Sequence, residues 1–269
     1  MTTTIAVAGK GGTGKTTVAA MLIRYLSEQK RGTILAIDAD PSSNLHYTLG
    51  LQLEGTIGDL REDMLDQVQS SSTAASALPG GLGKQDYLDY QIRMLITEGD
   101  TIDLLAMGRP EGPGCYCAAN HMIRVVMDRI GGNYDYVVMD NEAGMEHISR
   151  RTTRDIDHLI LVTDISQRGL IAIRHIVDMV PGLDVNIKRL YLVVNRALAD
   201  PLAPAFAAAV QDVVQASSQK IELLDPIPND PVMSEYEFNG RPLIELPHNS
   251  EVVRAVYRIA EKIFSNGQG

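Results

Sequence analysis

The chain has 269 residues, 45% of them hydrophobic, which suits a sizeable buried core and does not suit a disordered chain. Acidic residues outnumber basic ones 34 to 24, and the net charge of −10 argues against a broad nucleic-acid or anionic-membrane surface. No apolar run approaches the ~20 residues of a membrane span, and the first residues lead into a strand pattern rather than a signal sequence, so a cytoplasmic protein is expected.

The first apolar run, 3–8, reads as a strand. It leads into Gly9-Lys10-Gly11-Gly12-Thr13-Gly14-Lys15-Thr16-Thr17, which fits G-x-x-x-x-G-K-[ST], and then into helical spacing (Val18, Met21, Leu22, Tyr25, Leu26) over 15–30. Strand, loop and helix thus come in the order a phosphate-binding loop requires. A Gly-rich turn lets the backbone N–H groups of Gly11, Gly12, Thr13, Gly14, Lys15, Thr16 and Thr17 face phosphate oxygens, and the positive end of the helix adds attraction. Lys15 is expected to reach the β- and γ-phosphates of ATP or ADP, and the Thr16 hydroxyl to hold Mg²⁺. The generic motif does not require the second lysine, Lys10.

A second strand, 33–38, runs into Asp38-Ala39-Asp40-Pro41-Ser42-Ser43-Asn44. Two carboxylates leaving a strand end beside a phosphate loop are expected near Mg²⁺ (Asp38) and near the attacking water (Asp40). Residues 66–90, rich in Ser, Ala, Gly and Gln, read as a mobile insertion.

The third strand, 102–106, precedes Gly108-Arg109-Pro110-Glu111-Gly112-Pro113-Gly114-Cys115-Tyr116-Cys117 and a helix near 117–130. Cys115 and Cys117 are the chain's two cysteines, too few for a disulfide scaffold. On an extended segment, residues i and i+2 point to the same side, so both sulfurs can reach one metal ion. Two thiolates are half of a four-coordinate site; the same pair from a second subunit across a two-fold axis completes it. Such a set takes Zn²⁺, Ni²⁺, Cu(I) or an Fe–S cluster, and spacing alone does not choose among them or reject two incidental cysteines. His121 is either a further ligand or a surface or core residue, and Met107, Met122 and Met127 read as packing residues.

The fourth strand, 135–140, closes in Asp140, the expected second Mg²⁺ carboxylate, and the Gly144 that follows suits a switch loop. Glu142 and Glu146 receive no role; they are either solvated or paired with Arg150, Arg151 and Arg154. A fifth strand, 158–163, and a helix, 167–180, come next. The sixth strand, 189–194, ends in Asn195-Arg196, an amide able to read a purine edge. After a helix near 203–217 and a strand at 221–225, Ile227-Pro228-Asn229-Asp230 is placed to offer backbone carbonyls to an adenine amino group. A last helix spans 249–264. The alternation implies an α/β fold: a mainly parallel seven- or eight-stranded sheet with helices on both faces, a P-loop NTPase, forming one domain over 1–269.

The loop with its early lysine resembles the deviant Walker A motif of the MinD, ParA and nitrogenase iron protein group of dimeric ATPases, and the similarity spans nearly the whole chain. The resemblance implies that Lys10 crosses a homodimer interface to the partner's nucleotide, that Asp40 orients the attacking water, and that Asn195 and Pro228 contact adenine. Within the group, Gly-Pro-Gly-Cys-Tyr-Cys together with Asp-Asn-Glu-Ala-Gly-Met-Glu-His resembles the CooC-type ATPases that mature nickel-containing carbon monoxide dehydrogenase. That implies that Cys115 and Cys117 of two chains bind nickel or zinc, and that nucleotide controls dimerisation. A sister ATPase serving acetyl-CoA synthase fits the same residues.

Departures from other relatives bear on the alternatives. The switch at 140–147 holds no cysteine, which disfavours the bridging [4Fe–4S] cluster of a redox carrier, although two C-x-C pairs supply four thiolates. The chain ends Glu261 to Gly269 without the basic amphipathic helix of MinD relatives, and its acidity disfavours the DNA binding of ParA relatives, so neither membrane nor nucleic acid is an expected partner.

Overall fold

A computed structural model describes residues 2–60, 62, 90–91, 93–109, 115–143, 155–182, 185–198 and 201–265, with backbone alone for 115–120. Seven strands form one parallel sheet: β1 (Thr3–Gly9), β2 (Ile34–Ala39), β3 (Ile102–Ala106), β4 (Tyr136–Asn141), β5 (Asp155–Thr163), β6 (Asn186–Val194) and β7 (Ile221–Leu223). Their order across the sheet is β3-β2-β4-β1-β5-β6-β7. The buried stretches of the strands are rich in Val, Ile, Leu and Ala because both faces of the sheet are covered there.

Alternation along β1 shows the two cores. Ile5 and Val7 face a layer built by α1 (Lys15–Glu28), α2 (Leu45–Leu49), α6 (Pro231–Phe238) and α7 (Glu251–Ser265). Ala6 and Ala8 face the other, built by α3 (Cys115–Ile130), α4 (Gln167–Met179) and α5 (Pro204–Ala216). Met107, Met122 and Met127 belong to the second core, as packing residues.

Each expected strand and helix exists, with ends moved by a few residues. β5 and β6 begin three residues before 158 and 189 because their first turns of sequence are polar: Asn186 donates to Asp155 (3.1 Å), and Lys188 pairs with Asp157 (2.5 Å). Cross-strand polar pairs extend the ladder where apolar alternation is missing. The short helices α2 and α6 were not expected. The insertion read at 66–90 lies outside the described residues apart from Tyr90, as do Gly144, Glu146 and the Arg150, Arg151, Arg154 cluster.

β1 occupies the middle of the sheet, and its neighbours diverge at its carboxyl end. The β1–β4 ladder closes at Val7 opposite Asp140, whereas the β1–β5 ladder continues to Gly9 opposite Val162. The chain leaving β1 therefore turns over a crevice between β1 and β4, where ligands bind in open parallel sheets.

Candidate nucleotide site

The loop after β1 is shaped by glycines that no other residue replaces without distortion. Gly12 and Gly14 take φ of 81° and 88°, and a Cβ on Gly14 would overlap the Asn195 amide. Thr13, fully buried, donates through its hydroxyl (2.8 Å) and its amide (3.3 Å) to the Lys10 carbonyl, closing the turn. No side chain caps the start of α1, so its first N–H groups are free to bind an anion. Lys15 is buried at the same place, its ammonium donating to the Lys10 carbonyl at 3.4 Å.

Beneath the loop lie two acids on adjacent strands, Asp38 of β2 directly opposite Asp140 of β4. The Thr16 hydroxyl donates to one oxygen of Asp140 at 2.5 Å; the other is buried and has no partner among the described residues. An orphaned buried carboxylate oxygen costs on the order of 1–3 kcal/mol or more. Burial pushes the Asp140 carboxyl up to about 7; the Thr16 hydrogen bond opposes this, the neighbouring Asp38 reinforces it and Lys15 opposes it. A hard cation resolves both features, and Asp140 with Thr16 supplies the hard oxygens Mg²⁺ prefers. These two residues fit that ion.

Asp38, opposite Asp140, is held by backbone amides. One of its oxygens accepts from the Asp40 amide (3.1 Å) and the other from the Leu45 amide (2.9 Å), so it pins the turn into α2. Burial nevertheless raises its carboxyl to about 6, against the pull of those two amides. Asp40 stands at the turn itself, accepting from the Ser42 amide (2.8 Å). Ser43, at φ 44°, donates to the Asp40 carbonyl (3.4 Å) and accepts from the Gly108 amide (3.2 Å), while the Met107 amide donates to the Asp38 carbonyl (2.8 Å). The Asp40 turn is thereby bonded to the strand end from which the cysteine segment departs.

Lys10, half-buried, sits in the field of Asp164, the residue after β5. Burial works to raise the Asp164 carboxyl, but hydrogen bonds from the Ser166 hydroxyl and amide, together with the Lys10 charge, hold it below the usual carboxylate range. Neither Asp164 nor Ser166 had a signal in the sequence beyond a turn.

On the far side of β1, Asn195 reaches the phosphate loop. Its amide nitrogen donates to the Thr13 carbonyl (2.8 Å), and its oxygen accepts from the Arg196 amide (2.9 Å), all in a buried setting. It braces the phosphate loop against β6. Arg196 is exposed, in a left-handed conformation at φ 55°. Pro228 lies next to Ala197 in a short parallel bridge and lines a cleft of about 390 Å³ with Leu198, Asn229, Glu251 and Arg258. The last two come from α7, which sequence reasoning had assigned no part in the site.

The cysteines fall differently from their expected geometry. α3 starts at Cys115, so both occupy its first turn and not an extended segment before it. The alternation of an extended strand therefore does not apply to this stretch of backbone. Their side chains lie outside the described residues. His121, one turn on, is exposed. Among the described residues no group of three or more His, Cys, Asp and Glu side chains is gathered for a metal.

The model of the CobQ/CobB/MinD/ParA nucleotide binding domain matches residues 4–243. The chain belongs to that family. Members like it include an uncharacterised ATP-binding protein of Methanocaldococcus jannaschii, 41% identical over 97% of this chain and 98% of that protein. The carbon monoxide dehydrogenase accessory protein CooC of Rhodospirillum rubrum is 30% identical over 84% of this chain and 83% of its own length. Among solved structures, the septum site-determining protein MinD of Pyrococcus horikoshii, complexed with Mg-ADP, superimposes with a TM-score of 0.68 at 25% identity, covering 100% of this chain and 98% of that one. The family is one of P-loop ATPases, and the phosphate loop, Thr16 and Asp140 of this member are arranged for Mg²⁺ and nucleotide. No helix among the described residues is long and apolar enough to cross a membrane.

Proposed function

We propose that the chain acts as one ATPase domain, an ATP-dependent metallochaperone that dimerises and delivers nickel to carbon monoxide dehydrogenase. Lys15 and the amides of Gly11 to Thr17 hold the phosphates, Thr16 and Asp140 hold Mg²⁺, and Asp40 orients the water. Mg²⁺ supplies charge neutralisation on the β- and γ-phosphate oxygens. Asn195 supports the loop, and the cleft beside Pro228, entered past Arg196, receives the base. Lys10 reaches the nucleotide of a second copy. Cys115 and Cys117 of two copies form a four-thiolate site for Ni²⁺ or Zn²⁺, the transferred ion being cargo.

The observation that carries this reading is the hydrogen bond from the Gly108 amide to the Ser43 hydroxyl of the Asp40 turn. It gives a nucleotide-sensing turn a mechanical hold on the segment leading to Cys115. The similarity to CooC supports the target, and acetyl-CoA synthase is the neighbouring alternative within the same chemistry. Metal titration under anaerobic reducing conditions, with mass measured in solution, tests the assignment. One Ni²⁺ or Zn²⁺ per two chains, lost when both cysteines become serine, is expected. One ion per chain, unaffected by Cys115→Ser and Cys117→Ser, would sink it.

A second reading is a positioning ATPase, favoured by the likeness to MinD of Bacillus subtilis, 26% identical over 96% of this chain. ATP-dependent sedimentation with liposomes or DNA, indifferent to cysteine replacement, would establish that reading instead.

A further inference from the structure

Asn141, the last residue of β4, is fully buried and has no part in the phosphate loop, yet its bonds are directed at the strand from which that loop springs. Its amide nitrogen donates to the Val7 carbonyl of β1 (3.0 Å) and to the Met139 carbonyl of its own strand (3.3 Å). Its oxygen is buried and has no partner among the described residues. Because Nδ2 is claimed by two carbonyls, the amide cannot turn over, and the oxygen stays orphaned. An amide held with its oxygen unpartnered calls for a reason beyond packing, since the cost of that buried oxygen offsets part of what its two bonds to carbonyls contribute.

Register gives the reason. Val7 is where the β1–β4 ladder closes, opposite Asp140; beyond it β1 stays with β5 and leaves β4. Successive residues of a strand face opposite sides of the sheet. Asp140 therefore faces α1 and Thr16, while Asn141 is on the face of Ala8, Ala39 and α3, and pairs in register with Ala39 of β2. From the rear of the sheet it clips the two strands together at the point where they diverge. One strand carries Thr16 through the loop and the other carries Asp140, so the clip fixes the separation of the two oxygen donors.

We infer that Asn141 is a positioning residue of the nucleotide site: its amide bond to the Val7 carbonyl sets the Thr16–Asp140 geometry on which Mg²⁺-dependent nucleotide binding depends. The inference rests on the reading that Thr16 and Asp140 hold Mg²⁺. Its effect is on how much Mg²⁺ tightens nucleotide binding, not on nucleotide binding without the ion.

The test is titration of a fluorescent ATP analogue in EDTA and across Mg²⁺ concentrations, on the full chain and on Asn141→Leu, Asn141→Ser and Asp140→Ala. Asn141→Leu matches the volume without a donor; Asn141→Ser keeps a polar group too short to reach Val7. Both are expected to bind the analogue in EDTA as the parent does and to need roughly tenfold more Mg²⁺ for half of the tightening, a loss comparable to one misplaced charge-assisted contact. Folded Asn141 variants with the parent's Mg²⁺ dependence overturn the inference. If Asp140→Ala also retains that dependence, the Mg²⁺ reading itself fails; if Asp140→Ala loses it and the Asn141 variants do not, only the role of Asn141 fails. Unfolding of both Asn141 variants by circular dichroism overturns it too, by assigning the residue to the stability of the sheet.

Discussion

Asp140 concentrates the chemistry of the site at a single carboxyl group. Burial raises it to about 7, and burial also raises Asp38 to about 6, so both bind protons more readily in the folded chain than at their ordinary 3.8. The folded state then holds more protons than the unfolded one between about pH 4 and 7, and stability of the metal-free protein falls as pH rises through that window. Asp140→Asn should stabilise the metal-free protein at pH 8, by on the order of 1–4 kcal/mol, and have no such effect near pH 4. Added Mg²⁺ reverses the trend because it favours the carboxylate. Thermal unfolding with nucleotide at pH 6 and pH 8 checks this: the Mg²⁺-induced rise in Tm should be larger at pH 8, and an equal rise at both would contradict the assignment.

The two lysines divide in the same way. Lys15 is buried against the loop and Lys10 sits near Asp164, so Lys15→Ala should weaken nucleotide binding itself, whereas Lys10→Ala should spare it and weaken dimerisation or hydrolysis. Equilibrium binding set beside solution mass separates the two, and equal loss of nucleotide binding would remove the distinction.

At the scale of elements, the site is held by braces rather than by its own loop. Asn195 ties the loop to β6, and Asn195→Ala leaves the buried Thr13 carbonyl without its donor. A stability loss of about 1–3 kcal/mol with weaker ATP binding is expected from chemical denaturation and nucleotide titration; an unchanged ATP affinity would show the brace to be dispensable. On the opposite side of the turn, Ser43→Ala cuts the bond to Gly108. The metal stoichiometry should survive, and the influence of nucleotide on metal affinity should shrink.

What was legible in the sequence follows from where the information lies. Buried parallel strands and long amphipathic helices advertise themselves as apolar runs, so β1 to β7 and the five long helices were readable, and the phosphate loop was readable because its spelling is local. The helices α2 and α6, five and eight residues long, are too short to show a period. α6 did carry a sign in Asp230-Pro231: the Asp230 carboxylate accepts from the Val232 amide at 2.8 Å as its cap. The duties of Asp38, Asn195 and Asn141 depend on partners far away in the chain, such as Thr13 for Asn195 and Val7 for Asn141. No spacing rule reaches such contacts. The extended geometry assumed for Cys115 and Cys117 failed because the helix begins at the first of them.

At the scale of the whole molecule, the functional segments leave one end of the sheet. In a parallel sheet all strand-to-helix turns emerge together, so the loop after β1, the Asp40 turn after β2, the cysteine segment after β3 and Asp140 at the end of β4 share that end. The bond between Ser43 and Gly108 ties the Asp40 turn to the chain just after β3. If ATP draws two copies together and the thiolate site exists only between them, nucleotide and metal must promote each other's binding by the same factor. The direct measurement is Zn²⁺ or Ni²⁺ affinity, under anaerobic reducing conditions, with and without a non-hydrolysable ATP analogue and Mg²⁺. The account predicts that nucleotide tightens metal binding by roughly tenfold or more, worth ~1.4 kcal/mol of coupling, and that Lys10→Ala removes the gain; a metal affinity identical with and without nucleotide would contradict it.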